Sequence, residues 1–168
     1  MSFLSRLTSV EPYDTWLGME KAAEERFWDG LTLLLSEENR GTGGIYLLGY
    51  TAEILLKTAF FRFIGIAGTE DLWIKGGGFD TAKTHSGWKG KNLHDLLGWI
   101  DLLIDERTTA GKPLNPVIAG QADLHVKLVN NHWREILRYK YTDASDNEIA
   151  EVYQGVEWIR DNHHLLWS

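Results

Sequence analysis

The chain has 168 residues, a formal net charge of −7 and an isoelectric point near 5.3. A chain of this length can bury a large core, so residues 1–168 are predicted to fold as a single domain without a metal or a disulfide. The sequence has no cysteine, which excludes disulfides, thiolate nucleophiles and cysteine-ligated metal centres. The acidic balance argues against a broad nucleic-acid-coating surface, because such surfaces are normally basic.

The first thirteen residues are predicted to form an irregular N-terminal arm. They contain no sustained apolar core of the kind found in a signal peptide. The most apolar later segment is interrupted by Glu53, Lys57 and Arg62. Each such charge costs about 2.5–3.5 kcal/mol at the centre of a membrane. We therefore expect a cytoplasmic protein that does not enter a membrane.

A first helix is predicted over residues 16–38, where apolar residues recur every three or four positions. It is followed by a glycine-rich break at residues 39–44, NRGTGG. Free amide groups at the start of a helix can bind an anion, but this segment matches no phosphate-loop pattern and no strand precedes it. We interpret it as a tight turn between two helices that needs the conformational freedom of glycine.

The longest apolar stretch, residues 44–65, is predicted to be the central helix of the protein. Its opposite face carries aromatic and charged side chains at helical spacing: Tyr46, Tyr50, Glu53, Lys57 and Phe61. A helix that is apolar on one side and aromatic on the other is usually buried on both. We predict that the five residues form a binding or dimer-interface surface. On it, the i, i+4 pair of Glu53 and Lys57 either fixes the packing of the helix or binds a ligand.

Residues 65–91 interrupt the helical pattern with a long glycine-rich loop. A free linker would not need the large apolar residues that it contains, which are Leu72, Trp73, Ile74, Phe79 and Trp88. Long loops in compact domains are often either functional or mobile. Two interpretations remain open: a loop that packs on the bundle and covers a site, or a mobile insertion.

Three more helices are predicted after the loop, over residues 93–106, 118–139 and 145–166. A side-chain oxygen of Ser145 or Asp146 is expected to cap the last of them. With the two earlier helices, they predict an all-α protein. Its expected architecture is an up-and-down bundle of about five helices with one long loop insertion.

The densest polar cluster on the fourth predicted helix consists of His132, Arg134, Glu135, Arg138 and Tyr139. Imidazole can act as a general acid or base near neutral pH, and a guanidinium group can hold a phosphate through two hydrogen bonds. His132, Arg134 and Arg138 would therefore suit metal-independent RNA cleavage. The alternative is a solvated helix face with an Arg–Glu ion pair. His125 and His132 lie too far apart to share a metal ion, so no metal site is predicted.

Three segments carry a family resemblance: GYTAEILLKTAFFR at 49–62, NLHDLL at 92–97 and HWREILRYK at 132–140. In these segments the chain resembles the HEPN domain, a helical family of prokaryotic toxins, nucleotide-binding partners and RNases. The resemblance extends over about residues 16–164. It implies a bundle that dimerises, often across the central helices, beside a cleft for a nucleotide or RNA.

RNases of this family carry an Arg followed by four to six residues and then a His. In this chain His163 and His164 follow Arg160 after only two and three residues, so that pair is not carried over. The resemblance therefore predicts a non-catalytic binding or regulatory protein of a toxin–antitoxin type, or the partner of a nucleotidyltransferase. We expect it to act as a homodimer without a cofactor. A divergent metal-independent endoribonuclease that uses residues of the fourth helix is the alternative.

Overall fold

The computed structural model describes residues 14–36, 38, 40–135, 137 and 143–168, and in this part of the chain all regular structure is helical. Six helices are present there: α1 (Trp16–Leu34), α2 (Gly41–Phe63), α3 (Gly78–Thr84), α4 (Leu96–Thr109), α5 (Pro116–His132) and α6 (Asp146–Trp167). The prediction of an all-α bundle is confirmed. The predicted N-terminal arm, residues 1–13, lies outside the described residues. No helix among the described residues has both the length and the apolar character needed to cross a membrane.

Helix α2 is the centre of the bundle, as its apolar sequence predicted. It contacts α1, α4, α5 and α6, and all of residues 51–61 are buried. Both faces of this half of the helix are therefore covered. Leu48, Leu56 and Phe60 are fully buried, and burying a side chain of this size contributes about 1.5–3 kcal/mol.

The fourth predicted helix ends earlier than expected. Helix α5 stops at His132, and Trp133 already has an extended backbone with φ −96° and ψ 135°. The indole ring of Trp133 is thereby buried against α2 at Gly49, where any larger residue would overlap it. This tertiary contact overrides the local helical pattern. The prediction that residues 118–139 form one helix is therefore wrong, and Arg134 does not share a helix face with His132.

Other predicted boundaries also differ from the observed ones, including that of α4, which begins at Leu96 and not at residue 93. Helix α1 ends at Leu34 and not at residue 38, and α2 begins at Gly41, inside the predicted glycine-rich turn. The glycine at position 44 is required by close packing of α1 on α2, because a methyl group there would overlap the side chain of Leu34. The start of α6 agrees with the prediction: Ser145 caps the helix and forms a capping box with Glu148.

The long insertion at residues 65–91 packs on the bundle, which is the first of its two interpretations. It also contains α3, a short helix that was not predicted. Leu72 and Phe79 are buried, and the ring of Phe79 meets that of Phe61 edge-on with the centroids 5.1 Å apart. Phe61 is itself fully buried. It therefore lies in the core, and the prediction that it belongs to an interface surface is corrected.

Helix α6 is joined to the centre of the bundle through the buried side chain of His163. Its Nε2 lies 3.2 Å from Thr58 Oγ1 on α2 and 3.9 Å from Glu20 Oε1 on α1. Burial lowers the pKa of His163 from 6.5 to about 4, and the positive charge of Arg62 contributes in the same direction. The neutral imidazole is therefore the form that fits the folded protein.

Acidification is predicted to destabilise the protein through His163. The folded pKa is lower than the unfolded value, so the stabilisation is complete above pH 6.5 and is lost as the pH falls towards about 4. Over that range we expect wild type to lose about 3 kcal/mol more unfolding free energy than His163→Gln. Urea denaturation at a series of pH values measures both losses. Equal losses would contradict this account of His163.

A matched pair of glycine substitutions tests the packing of α2. In Gly49→Ala the new methyl group meets Trp133, and we expect a loss of about 1–3 kcal/mol. In Gly120→Ala, on α5, no described residue outside the helix's own backbone and the two adjoining residues comes within 4 Å of the new methyl group, so we expect a gain of about 0.4–1 kcal/mol. Thermal denaturation compares the two proteins. A Gly49→Ala protein as stable as Gly120→Ala would show that Trp133 is not seated on α2.

Candidate functional site

A buried ion pair on α2 is the strongest candidate for the centre of a functional site. The ammonium group of Lys57 contacts the carboxylate of Glu53, and the two side chains are only 7% and 3% exposed. This is the i, i+4 pair that the sequence predicted, and it is almost completely buried. Removing two charges from water is unfavourable unless both are paired and further stabilised by neighbours.

His94, in the turn before α4, adds a second basic group to the same carboxylate. Its Nδ1 lies 3.0 Å from Oε2 and 3.2 Å from Oε1 of Glu53. The hydrogen bond with Glu53 raises the pKa of His94, although burial and the charge of Lys57 oppose the effect. Sequence analysis had not selected His94 as a site residue. We call Glu53, Lys57 and His94 the Glu53 cluster.

Aromatic rings surround the cation of the Glu53 cluster. Lys57 Nζ lies 5.5 Å from the centroid of the Phe79 ring and 5.6 Å from that of Trp99. An ammonium group at this distance from an aromatic face is attracted by about 0.5–2 kcal/mol, with the higher value where water is excluded. The insertion, through Phe79, and α4, through Trp99, thus help to stabilise the buried charge.

One side of the Glu53 cluster opens into a cavity of about 550 Å³, which we call cleft A. Helices α1 and α2 and the insertion form its walls, and the side chains that matter below are Arg26, Tyr46, Tyr50, Lys57, Trp73 and Phe79. Its volume falls within the range of about 300–1,000 Å³ that is typical of small-molecule sites. Because Trp73 and Phe79 belong to residues 65–91, the insertion does cover part of this cavity.

The aromatic side chains of cleft A are arranged in two pairs. Tyr46 and Tyr50 meet edge-on with ring centroids 4.9 Å apart, and their hydroxyl groups are 3.4 Å apart. Trp73 stacks on Phe79 with centroids 4.1 Å apart, yet 56% of Trp73 is exposed. A large ring that is packed on one side and still half exposed can present its remaining surface to a ligand.

The other side of the Glu53 cluster faces a second cavity of about 530 Å³, cleft B. It lies between the start of α4 and the end of α5, and its lining includes His94, Lys89, Lys91, Arg134 and Glu135. His94 Nε2 lies 3.9 Å from Glu135 Oε2. Glu53 lines cleft A and His94 lines cleft B, so the cluster stands between the two cavities.

Of the three predicted catalytic residues, the structure describes His132 and Arg134 and gives them different hydrogen-bond partners. His132 Nε2 lies 2.7 Å from Glu151 Oε2 on α6. Arg134 lines cleft B and donates to backbone carbonyl oxygens at the end of α5. Arg138 lies outside the described residues. His132 and Arg134 therefore have different neighbours, and the geometry gives no support to a shared catalytic site. Among all the residues that the structure describes, no group of three or more His, Asp or Glu side chains could hold a metal ion.

No protein-family model matches the chain, and comparisons with curated proteins and with solved structures find no match. The resemblance to the HEPN family therefore rests on three sequence segments alone. The geometry of the Glu53 cluster and the two clefts is what bears on function.

Neutralising Glu53 is predicted to destabilise the protein strongly. In Glu53→Gln the buried ammonium group of Lys57 loses its counter-ion, at a cost of about 3–5 kcal/mol. The matched control is Asp123→Asn on α5, because Asp123 pairs with Lys127 at the same i, i+4 spacing but both side chains are about half exposed. The Asp123→Asn protein should lose about 0.3–0.5 kcal/mol of unfolding free energy. Urea denaturation that found two equally small losses would contradict a buried Glu53–Lys57 pair.

Proposed function

We propose that the protein is a non-catalytic binding protein that holds a nucleotide in cleft A. The observation that carries the proposal is the combination of aromatic walls with two cations, Arg26 and Lys57, in one cavity. A nucleotide has the matching parts, a flat aromatic base and an anionic phosphate.

The base has two candidate stacking partners in cleft A. Trp73, supported by Phe79 behind it, is the larger and more exposed surface. The pair of Tyr46 and Tyr50 forms the second. Stacking of a base on an aromatic side chain contributes about 1–3 kcal/mol and depends little on which base is present. Cleft A is therefore expected to bind several nucleotides with similar affinity.

The phosphate has a positive surface to approach, although the chain as a whole is acidic. The lining of cleft A contains two cations, Arg26 and Lys57, and one carboxylate, that of Glu53. Arg26 donates one N–H to the carbonyl oxygen of Ala22 at 3.1 Å. The rest of its guanidinium group makes no other hydrogen bond within the described part of the chain, so it is available to a phosphate.

The resemblance to the HEPN family supports a regulatory role for this binding, because that family includes nucleotide-binding partners. On this proposal the protein acts as a homodimer or beside a nucleotidyltransferase-type protein. Tyr46 and Tyr50 are only half-buried, whereas residues 51–61 are covered. A dimer formed across α2 would therefore use the first half of the helix, next to the mouth of cleft A.

Calorimetric titration with AMP tests the proposal. Wild type is expected to bind, and Trp73→Ala to bind at least about tenfold more weakly because it loses one stacking surface. Trp28→Ala is the matched control, since Trp28 is exposed to a similar extent, 54% against 56%, but does not line cleft A. It should bind AMP as wild type does.

Two results would overturn the proposal: no binding of AMP, GMP, CMP or UMP by the folded protein, or the same loss in both tryptophan variants. Incubation with labelled RNA in EDTA separates binding from the endoribonuclease alternative. We expect the RNA to stay intact, because His132 and Arg134 face different neighbours.

A further inference from the structure

The carboxylate of Glu53 lines cleft A and contacts His94, which lines cleft B. Glu53 is 3% exposed, and its Oε1 is contacted both by Lys57, which lines cleft A, and by His94, which lines cleft B. We propose that cleft B binds a phosphate-type anion and that an anion in cleft A strengthens this binding through Glu53. The inference rests on the proposed function only for the identity of the anion in cleft A.

The coupling follows from the need of a buried carboxylate for a compensating positive charge. Lys57 supplies that charge when cleft A is empty. An anion that binds beside Lys57 adds negative charge next to Glu53, so the total charge around the carboxylate becomes more negative. His94 can compensate by holding a proton. Its Nε2 then carries an N–H on the side of cleft B.

The Nε2 edge of His94, in cleft B, already lies next to a carboxylate side chain. The Glu135 carboxylate lies 3.9 Å from Nε2 and its side chain is 40% exposed. A negatively charged oxygen is thus accommodated at this position, and a ligand phosphate would take the place of Glu135. Lys89 and Lys91 line the same cavity and make no ion pair with any residue that the structure describes, so both are available to an incoming anion.

The remaining charged groups around His94 are of both signs. Arg134, at the end of α5, adds a third cation to cleft B. Asp95 accepts hydrogen bonds from the backbone N–H groups of Lys91 and Gly98 and also contributes its negative charge to the lining. Asp101 and Glu135 are the other two acids in the lining. The lining of cleft B thus holds three permanent cations and three carboxylates, so a proton on His94 makes its total charge positive.

The charges around His94 act in the direction that the coupling requires. The hydrogen bond with Glu53 raises the pKa of His94, and the charge of Lys57 lowers it. Removing or neutralising the positive charge of Lys57 should therefore raise the pKa of His94 further. Coupling free energies are reciprocal, so an anion in cleft B must strengthen binding in cleft A by the same factor. Anion binding in cleft B should also weaken as the pH rises through the pKa of His94.

Histidine NMR tests both parts of the inference. The Cε1–Hε1 signal of His94, assigned by its absence in His94→Gln, is followed with pH and with inorganic phosphate as the probe of cleft B. We expect phosphate to shift this signal and to raise the pKa of His94. Addition of AMP, or the substitution Lys57→Met, should raise the pKa and tighten phosphate binding at least about fivefold. Lys57→Arg keeps the positive charge, so its His94 pKa and its affinity for phosphate should be those of wild type.

The outcomes separate the parts of the proposal. A His94 signal that phosphate does not move would overturn the anion site in cleft B. An unchanged pKa of His94 in folded Lys57→Met would overturn the coupling. If the methionine variant does not fold, the same measurement is made on Lys57→Gln or on wild type with AMP added. If AMP does not bind but phosphate moves His94 and Lys57→Met raises its pKa, the function proposed for cleft A fails and this inference stands.

Discussion

The burial of Glu53 and Lys57 in the middle of α2 is the constraint on which the rest of the structure depends. Two opposite charges in a core are tolerated only if their neighbours complete the hydrogen bonding and exclude water in a fixed arrangement. Phe79 from the insertion, Trp99 from α4 and His94 from the preceding turn provide that arrangement. The ion pair thus fixes how elements distant in sequence pack around the central helix.

Both cavities border the buried pair or its partner His94. Cleft A lies next to Lys57, between α1, α2 and the insertion, and cleft B lies next to His94, in the turn before α4. Buried charged groups destabilise a fold, and they are found often at functional sites. In this protein the charge lies between an aromatic cavity and a polar one, and it can interact with the contents of both.

Local sequence patterns were enough to predict the all-α fold, the central position of α2, the Glu53–Lys57 pair and the cap at Ser145. Features that depend on contacts between distant segments were not predicted. His94 joins the cluster only because the turn before α4 folds back on Glu53. Helix α5 ends at His132 because Trp133 finds its place against Gly49. Helix α3 has only seven residues, and it is held by burial of Phe79 and not by helical propensity.

The central claim is that cleft A is a ligand site centred on the buried pair of α2. A crystal structure of the protein with AMP tests this claim most directly. The account predicts electron density for the base against the ring of Trp73, with a phosphate oxygen within hydrogen-bonding distance of Lys57 or Arg26. AMP bound away from cleft A, with Lys57 unchanged and the cleft filled by water, would contradict it.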